Sequence, residues 1–278
     1  MNLSKHCAQR RLDLDSPKIM GILNLTPDSF SDGGRFFLRD QALAQVERMV
    51  AEGVDIVDVG GESTRPGAAA VSEAEEIERV TPLIEAIAQR IDVPISVDTS
   101  KAGVMRSAVT AGACMINDVA ALRGENALSV AAELAVPVCL MHMQGEPRTM
   151  QVDPQYGDVT VEVQQFLLQR ADACMQAGIL RENILLDPGF GFGKSVVHNC
   201  QLLKNLSTLL KSGFPLLVGI SRKSMLGAIT GREVDDRLAA SLAAATMALQ
   251  KGASILRVHD VAQTRDALLV WKAIETSS

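Results

Sequence analysis

The chain has 278 residues, 47% of them hydrophobic, and a formal net charge of −6 at pH 7. That length suits one eightfold α/β barrel, and no apolar run nears the roughly 20 residues that cross a bilayer. Lacking a basic block or an aromatic-interleaved Lys/Arg stripe, the chain has no signature of nucleic acid or membrane as a partner.

Residues 1–17 are expected to form a small extension closing the bottom of a barrel, with 18–278 as a single barrel domain. The first eleven residues are polar and lack the apolar stretch of a secretory signal, so a cytoplasmic protein is expected. From residue 18 onward, short β-branched runs alternate with longer helical patterns, as in consecutive βαβ units. Strands are predicted at 18–24, 54–60, 95–98, 115–118, 138–142, 184–187, 216–220 and 255–259, each followed by a helix. Gly53, Gly112, Gly178, Gly213 and Gly252 stand just past helical stretches, where a left-handed residue ends a helix. Pro94, Pro137 and Pro215 stand just before strands, where a missing donor does least harm. Ser72 with Glu75 reads as a capping box, and Asp260 as the N-cap of the last helix. A doubly wound open sheet shares this alternation. Eight regular units without a dinucleotide fingerprint favour a closed (β/α)8 TIM barrel. Cys7, Cys114, Cys139, Cys174 and Cys200 are odd in number and scattered, so reduced thiols are expected rather than a disulfide framework.

Parallel strands covered on both faces read as continuous apolar runs, and these runs end in polar residues: Asn24, Asp58, Asp98, Asn117 with Asp118, His142, Asp187, Ser221 to Lys223, and Arg257 with His259. In such barrels that end carries the chemistry. Short polar residues also cap helices, and Asp58, Asp118 and His142 are assigned to capping or supporting work. Asp98, Asn117, Asp187 and Lys223 come from four strands and together can read the edge of a heterocycle, with buried carboxylates accepting its N–H groups. The glycines from Gly189 to Gly193 match neither a Walker A nor a Rossmann pattern. They read instead as backbone allowed close to a flat ligand, with Phe192 as a stacking or lid residue, an ordinary flexible loop being the alternative. Arg257 and His259, two apart on the last strand, share a face and suit an oxyanion clamp. A Schiff-base role for Lys223 is the aldolase alternative.

The runs Gly21-Ile-Leu-Asn-Leu-Thr-Pro-Asp-Ser-Phe-Ser-Asp-Gly33, Asp58-Val-Gly-Gly-Glu-Ser-Thr-Arg-Pro-Gly67, Asp187-Pro-Gly-Phe-Gly-Phe-Gly193 and Ser221-Arg-Lys-Ser224 resemble the bacterial dihydropteroate synthases, pterin-binding TIM barrels. The likeness extends through Ile116-Asn-Asp118, Leu140-Met-His-Met143 and Arg257-Val-His-Asp260. It implies a transferase of folate biosynthesis that joins 6-hydroxymethyl-7,8-dihydropterin diphosphate to 4-aminobenzoate, releasing diphosphate. It further implies that Asp98, Asn117, Asp187 and Lys223 hold the pterin, with Met141 and Phe192 lining the pocket. Asn24, Arg65, Arg257 and His259 would bind diphosphate, with Asn24 a ligand of Mg²⁺. Thr64, Arg65, Pro66, Ser221 and Phe30 would shape the aminobenzoate site, which sulfonamides occupy in that family. Arg257, Lys223 and Asp98 are the expected catalytic set, and a homodimer is implied. The alternatives are a folate-dependent methyltransferase barrel and an inactive pterin-binding homologue. The loops at 26–35 and 60–67 are expected to close over the reacting centre and exclude water.

Overall fold

The structure, a computed structural model, describes residues 13–25, 35–63, 70–145 and 149–277, without the side chains of 35–38. Eight strands are present: β1 (Lys18–Asn24), β2 (Ile56–Gly60), β3 (Ile95–Asp98), β4 (Met115–Asp118), β5 (Val138–Met141), β6 (Ile184–Asp187), β7 (Leu217–Val218) and β8 (Ile255–Val258). Between them and after the last run α1 (Arg35–Ala51), α2 (Glu73–Arg90), α3 (Ala102–Ala111), α4 (Ala127–Leu134), α5 (Val159–Gln176), α6 (Val196–Lys204), α7 (Ser207–Leu210), α8 (Ser224–Thr230), α9 (Leu238–Gln250) and α10 (Val261–Glu275).

All strand pairs are parallel, in the order β6-β5-β4-β3-β2-β1-β8-β7. A parallel bridge between Leu186 and Leu216, in which the Leu186 amide donates to Pro215 at 3.0 Å, joins the two ends. The sheet therefore closes, as the eight βα units predicted. Strand lengths differ from expectation at four places. Residues 54 and 55 lie outside β2 because the Val54 amide turns back to Met49 O. Two residues remain of the 216–220 run, since the chain soon bends into a loop where Arg222 holds φ 56°. The predicted fifth and eighth strands each lose their terminal histidine.

Burial falls into three regions. A large sheath between strands and helices includes Ile19, Val57, Val97, Ile116, Leu140, Leu186 and Leu256. The opposite strand faces fill the lumen with Met20, Ile56, Met115, Cys139, Leu185, Leu217 and Ile255, against which Leu14 packs. This alternation follows from the two-residue period of a strand. Residues 1–12 of the extension lie outside the described residues. A third, smaller cluster of Met141, Met143, Met150 and Phe192 sits apart from both, with Val119 against it.

The five helix-ending glycines all have positive φ, from 76° at Gly213 to 122° at Gly112. Two capping expectations change. Ser72 accepts the Glu75 amide at 3.3 Å, but the Glu75 carboxylate turns to Arg79. Asp260 stands at the N-cap of α10 without a side-chain cap bond, because its carboxylate takes the Arg222 guanidinium. Charge pairing outcompetes a neutral amide donor here. Cys139 and Cys174 are buried free thiols and Cys200 an exposed one, whereas Cys114 is disulfide-bonded, against the expectation of reduced thiols. Among the described residues no helix is long and apolar enough to cross a membrane.

Candidate active site

Strand register sets the site. Asn24 on β1 aligns with Gly60 on β2, Gly60 with Asp98 on β3, and Asp98 with Asn117 on β4. Four positions at the C-terminal strand ends thus form one row. Farther around, Met141 aligns with Asp187. Gly60 keeps the row open: a Cβ there would lie 3.4 Å from Asn24 Oδ1 and 3.5 Å from the Asp98 Cβ.

Arg257 ties the row to the layer beneath it. Its Nε donates to Asp58 Oδ2 at 2.6 Å and its Nη2 to Asp98 Oδ2 at 2.7 Å. Asn117 Nδ2 donates to the same Asp58 oxygen at 3.1 Å. Asp58 is fully buried, and a buried carboxylate without such donors would carry a large desolvation cost. Burial opposes the charge on Arg257, but Asp58 and Asp98 outweigh it and raise its pKa. Asp98 is raised to about 7, chiefly by burial, with Arg257 acting against the shift and Asp58 adding to it. Arg257, expected as part of a diphosphate clamp, is therefore engaged among the residues expected to read the pterin. The supporting role assigned to Asp58 fits these bonds.

Asp187 Oδ1 accepts the Gly189 amide at 2.7 Å, and burial raises its pKa to about 6 against that bond and the neighbouring Lys223, Arg257 and Lys194. Lys223 is lowered to about 8 by burial and by Arg257. Its Nζ lies 4.1 Å from the centre of the Phe192 ring. Phe192, Met141, Met143 and Met150 form an apolar wall beside these charged groups. Asp98, Asn117, Asp187, Lys223, Met141 and Phe192 are thus brought to one end of the barrel.

The glycines of the loop after β6 serve packing against the protein. Gly189 has φ 69°, and a Cβ there would lie 1.9 Å from His142 O. At Gly193, φ 60°, the clash would be with Gln144 O at 2.4 Å. Lys194, which the sequence gives no role, is buried at the centre of this loop, and its Nζ contacts His142 Nδ1 at 2.9 Å. Burial, helped by Lys194, pushes His142 down to about 3, so the ring is neutral and accepts at Nδ1. Asp118 caps its own turn, accepting the Ala120 and Leu122 amides at 2.7 Å each. Both residues do supporting work, as expected.

His259 follows β8, is exposed, and has Nδ1 3.1 Å from Ser221 Oγ. It is not bonded directly to Arg257. Phe30, Thr64, Arg65 and Pro66, and most of the two expected covering loops, lie outside the described residues. The base of the second loop is held on both sides: Glu62 Oε1 accepts the Val71 amide at 3.1 Å, and Lys101 Nζ donates to Glu62 at 2.6 Å and to buried Glu76 at 2.5 Å. The sequence marks neither Lys101 nor Glu76, because each looks like an ordinary solvated charge.

The family model described as pterin binding enzyme matches residues 20–259. A dihydropteroate synthase of Haemophilus influenzae is 58% identical over 262 residues, covering 94% of this chain and 95% of that one. The Yersinia pestis dihydropteroate synthase, solved with a sulfonamide drug, superposes with a TM-score of 0.92 at 50% identity, covering 96% of this chain and 97% of that one. The Xanthomonas albilineans enzyme in complex with 7,8-dihydropteroate gives 0.91 at 49% identity, with both chains covered in full, 100%. With the match spanning most of the barrel and every strand end just described, the chain belongs to the pterin binding enzyme family.

Proposed function

We infer that the chain is a dihydropteroate synthase, transferring a pterinylmethyl group from 6-hydroxymethyl-7,8-dihydropterin diphosphate to the amine of 4-aminobenzoate. The observation that carries this reading is the meeting of Asp98, Asn117, Asp187, Lys223 and Arg257 beside the Met141–Phe192 wall, in a chain 58% identical to a relative of that name. An amino-pyrimidinone edge offers N–H donors to Asp98 and Asp187, while Asn117 supplies an amide and Lys223 a donor. The apolar wall covers the ring face.

An arylamine is neutral at pH 7 and keeps a free lone pair, so it needs little help from a base. The chemical task is expulsion of diphosphate from the pterin methylene, with electron release from the dihydropterin ring stabilising the developing cation. Arg257, joined to Asp58 and Asp98, would offer its positive charge to the departing diphosphate. His259, exposed beside Ser221, can donate to diphosphate oxygens from the rim. Thr64, Arg65, Pro66, Phe30 and Ser221 are the proposed aminobenzoate residues, and sulfonamides would compete there.

Mg²⁺ fits as a partner of diphosphate. Among the described residues no group of three or more His, Cys, Asp or Glu could hold a metal, but Asn24 Oδ1 lies at the strand end beside Gly60. One amide oxygen suits an ion that keeps waters and takes its other ligands from phosphate. When bound, it would neutralise charge on the departing diphosphate.

A cytoplasmic homodimer is proposed as the working form. Met247 on α9 and Leu269, Val270 and Ile274 on α10, two helices that pack together, are exposed apolar side chains, of the kind that self-association buries. Sedimentation would report a monomer if this is wrong. For the activity, protein is mixed with dihydropterin diphosphate, Mg²⁺ and 4-aminobenzoate, and diphosphate release is followed with and without the amine. Amine-dependent release with formation of 7,8-dihydropteroate is expected; release that ignores the amine would remove the reading. A methyltransferase or an inactive homologue would form no dihydropteroate.

A further inference from the structure

Lys194 is a buried amine that the proposed reaction does not use; burial, opposed by Asp187, lowers its pKa to about 7, so it is an ammonium on the acid side of neutrality. Its Nζ lies 2.9 Å from His142 Nδ1 and donates to Gly189 O at 2.9 Å and Phe192 O at 3.0 Å. An ammonium has three protons, and these three acceptors match them. The side chain runs inside the loop whose outer face presents Phe192, and a longer contact of 3.4 Å reaches His142 O.

Two of the acceptors lead straight to the pterin pocket. Gly189, whose carbonyl Lys194 holds, donates its amide to Asp187 Oδ1. This bond fixes the plane of the carboxylate, and no protein donor reaches its Oδ2 among the described residues. Phe192, whose carbonyl Lys194 also holds, places its ring under Lys223 Nζ. The loop is further pinned by Tyr156, whose hydroxyl donates to Gly193 O at 2.8 Å, and by Asn199, which accepts the Gly191 amide at 2.8 Å. Those two bonds fix the outer strand of the loop. Lys194 ties the Gly189 and Phe192 carbonyls of the loop to His142, just past β5.

We propose that Lys194 is a positioning residue for pterin recognition, holding the Asp187 carboxylate and the Phe192 ring in register through the carbonyls of Gly189 and Phe192. This rests on the dihydropteroate synthase reading. His142 serves as the third acceptor that keeps the ammonium at the loop centre. The charged and titratable groups around Asp187 are Lys223, Arg257, Lys194 and the buried Cys139 thiol. Around Lys194 they are His142, Asp187 and Lys223. Below about pH 7, where Lys194 carries its charge, removing it takes away one of the three cations that favour ionised Asp187, so the pterin pocket should need higher pH to fill.

The test compares wild type with Lys194→Met and Lys194→Gln, by calorimetry with dihydropterin diphosphate from pH 5.5 to 8.5 and by KM for each substrate. Wild type that binds no dihydropterin diphosphate would sink the functional reading itself, whatever the variants do. With binding established, Lys194→Met should lose about tenfold or more in pterin affinity, the scale on which small misplacements act. The acid limb of its binding profile should move to higher pH, and KM for 4-aminobenzoate should stay within about twofold. Lys194→Gln, which keeps donors without charge, should recover part of the affinity and none of the pH shift. Unchanged pterin affinity, or equal losses for both substrates, overturns the proposal. If Lys194→Met fails to fold, His142→Leu, which removes one acceptor and leaves the carbonyl bonds, gives the same decision: a loss confined to pterin supports the role, and no loss or a uniform one refutes it.

Discussion

Lys223 Nζ stands 4.1 Å from the centre of the Phe192 ring, joining the loop after β7 to the loop after β6. Burial and Arg257 lower the Lys223 pKa to about 8, and the ring face offsets part of that loss. A desolvated contact of this kind contributes about 1–2 kcal/mol. Phe192→Leu should therefore weaken dihydropterin diphosphate binding about five- to tenfold while leaving the fold intact, and Lys223→Met should weaken it further. Titration calorimetry with each variant decides; full affinity in both would detach this pair from the pterin pocket.

Removing Arg257 has two consequences. Arg257→Ala leaves Asp58 and Asp98 without their main donor, and breaking a buried pair in this way costs about 3–5 kcal/mol. Turnover should also fall by about two orders of magnitude or more, the scale of losing a charge-stabilising donor. Asp58→Asn in the Arg257→Ala background should restore part of the stability and none of the turnover. Urea unfolding and diphosphate release separate the two effects, and near-normal turnover in the folded single variant would end the catalytic assignment.

Asp118 provides a contrast. It accepts two backbone amides and no bond ties it to the pterin set. Asp118→Ala orphans two donors at about 1–3 kcal/mol each, so the variant should melt lower yet turn over normally at temperatures where it is folded. A kcat loss with unchanged melting would place Asp118 in the reaction instead.

His142 gives the stability a pH dependence with a definite sign. Its folded pKa is about 3 against 6.5 for the free side chain, through burial and then Lys194. Between those values the unfolded chain holds one more proton than the folded one, so this contribution is lost as pH falls from about 6.5 towards 3. The slope is up to about 1.4 kcal/mol per pH unit. Urea midpoints at pH 7, 6 and 5 should fall less steeply for His142→Gln than for wild type, and parallel curves would contradict the assignment.

The barrel was legible in the sequence because its signals are local. Alternation of apolar runs with helical patterns, and glycines at helix ends, report backbone conformations that neighbouring residues dictate. The polar ends of the runs were legible for the same reason, and Asp98, Asn117, Asp187 and Lys223 do meet at one end of the closed sheet. What the linear chain could not carry was which charge finds which. Arg257 lies 199 positions from Asp58 and 159 from Asp98 along the chain, and only closure of β8 onto β1, with the register of β1 to β4, brings them within bonding distance. The same holds for Lys194, 52 positions from His142, which looks like a loop lysine until the glycines let its loop fold against β5. Asp260 shows the converse: its local pattern specified an N-cap, and a guanidinium supplied by tertiary structure took the carboxylate. Local propensity sets where elements begin and end. Electrostatic pairing inside a closed barrel depends on three-dimensional distance and burial, and these arise only once the sheet has closed.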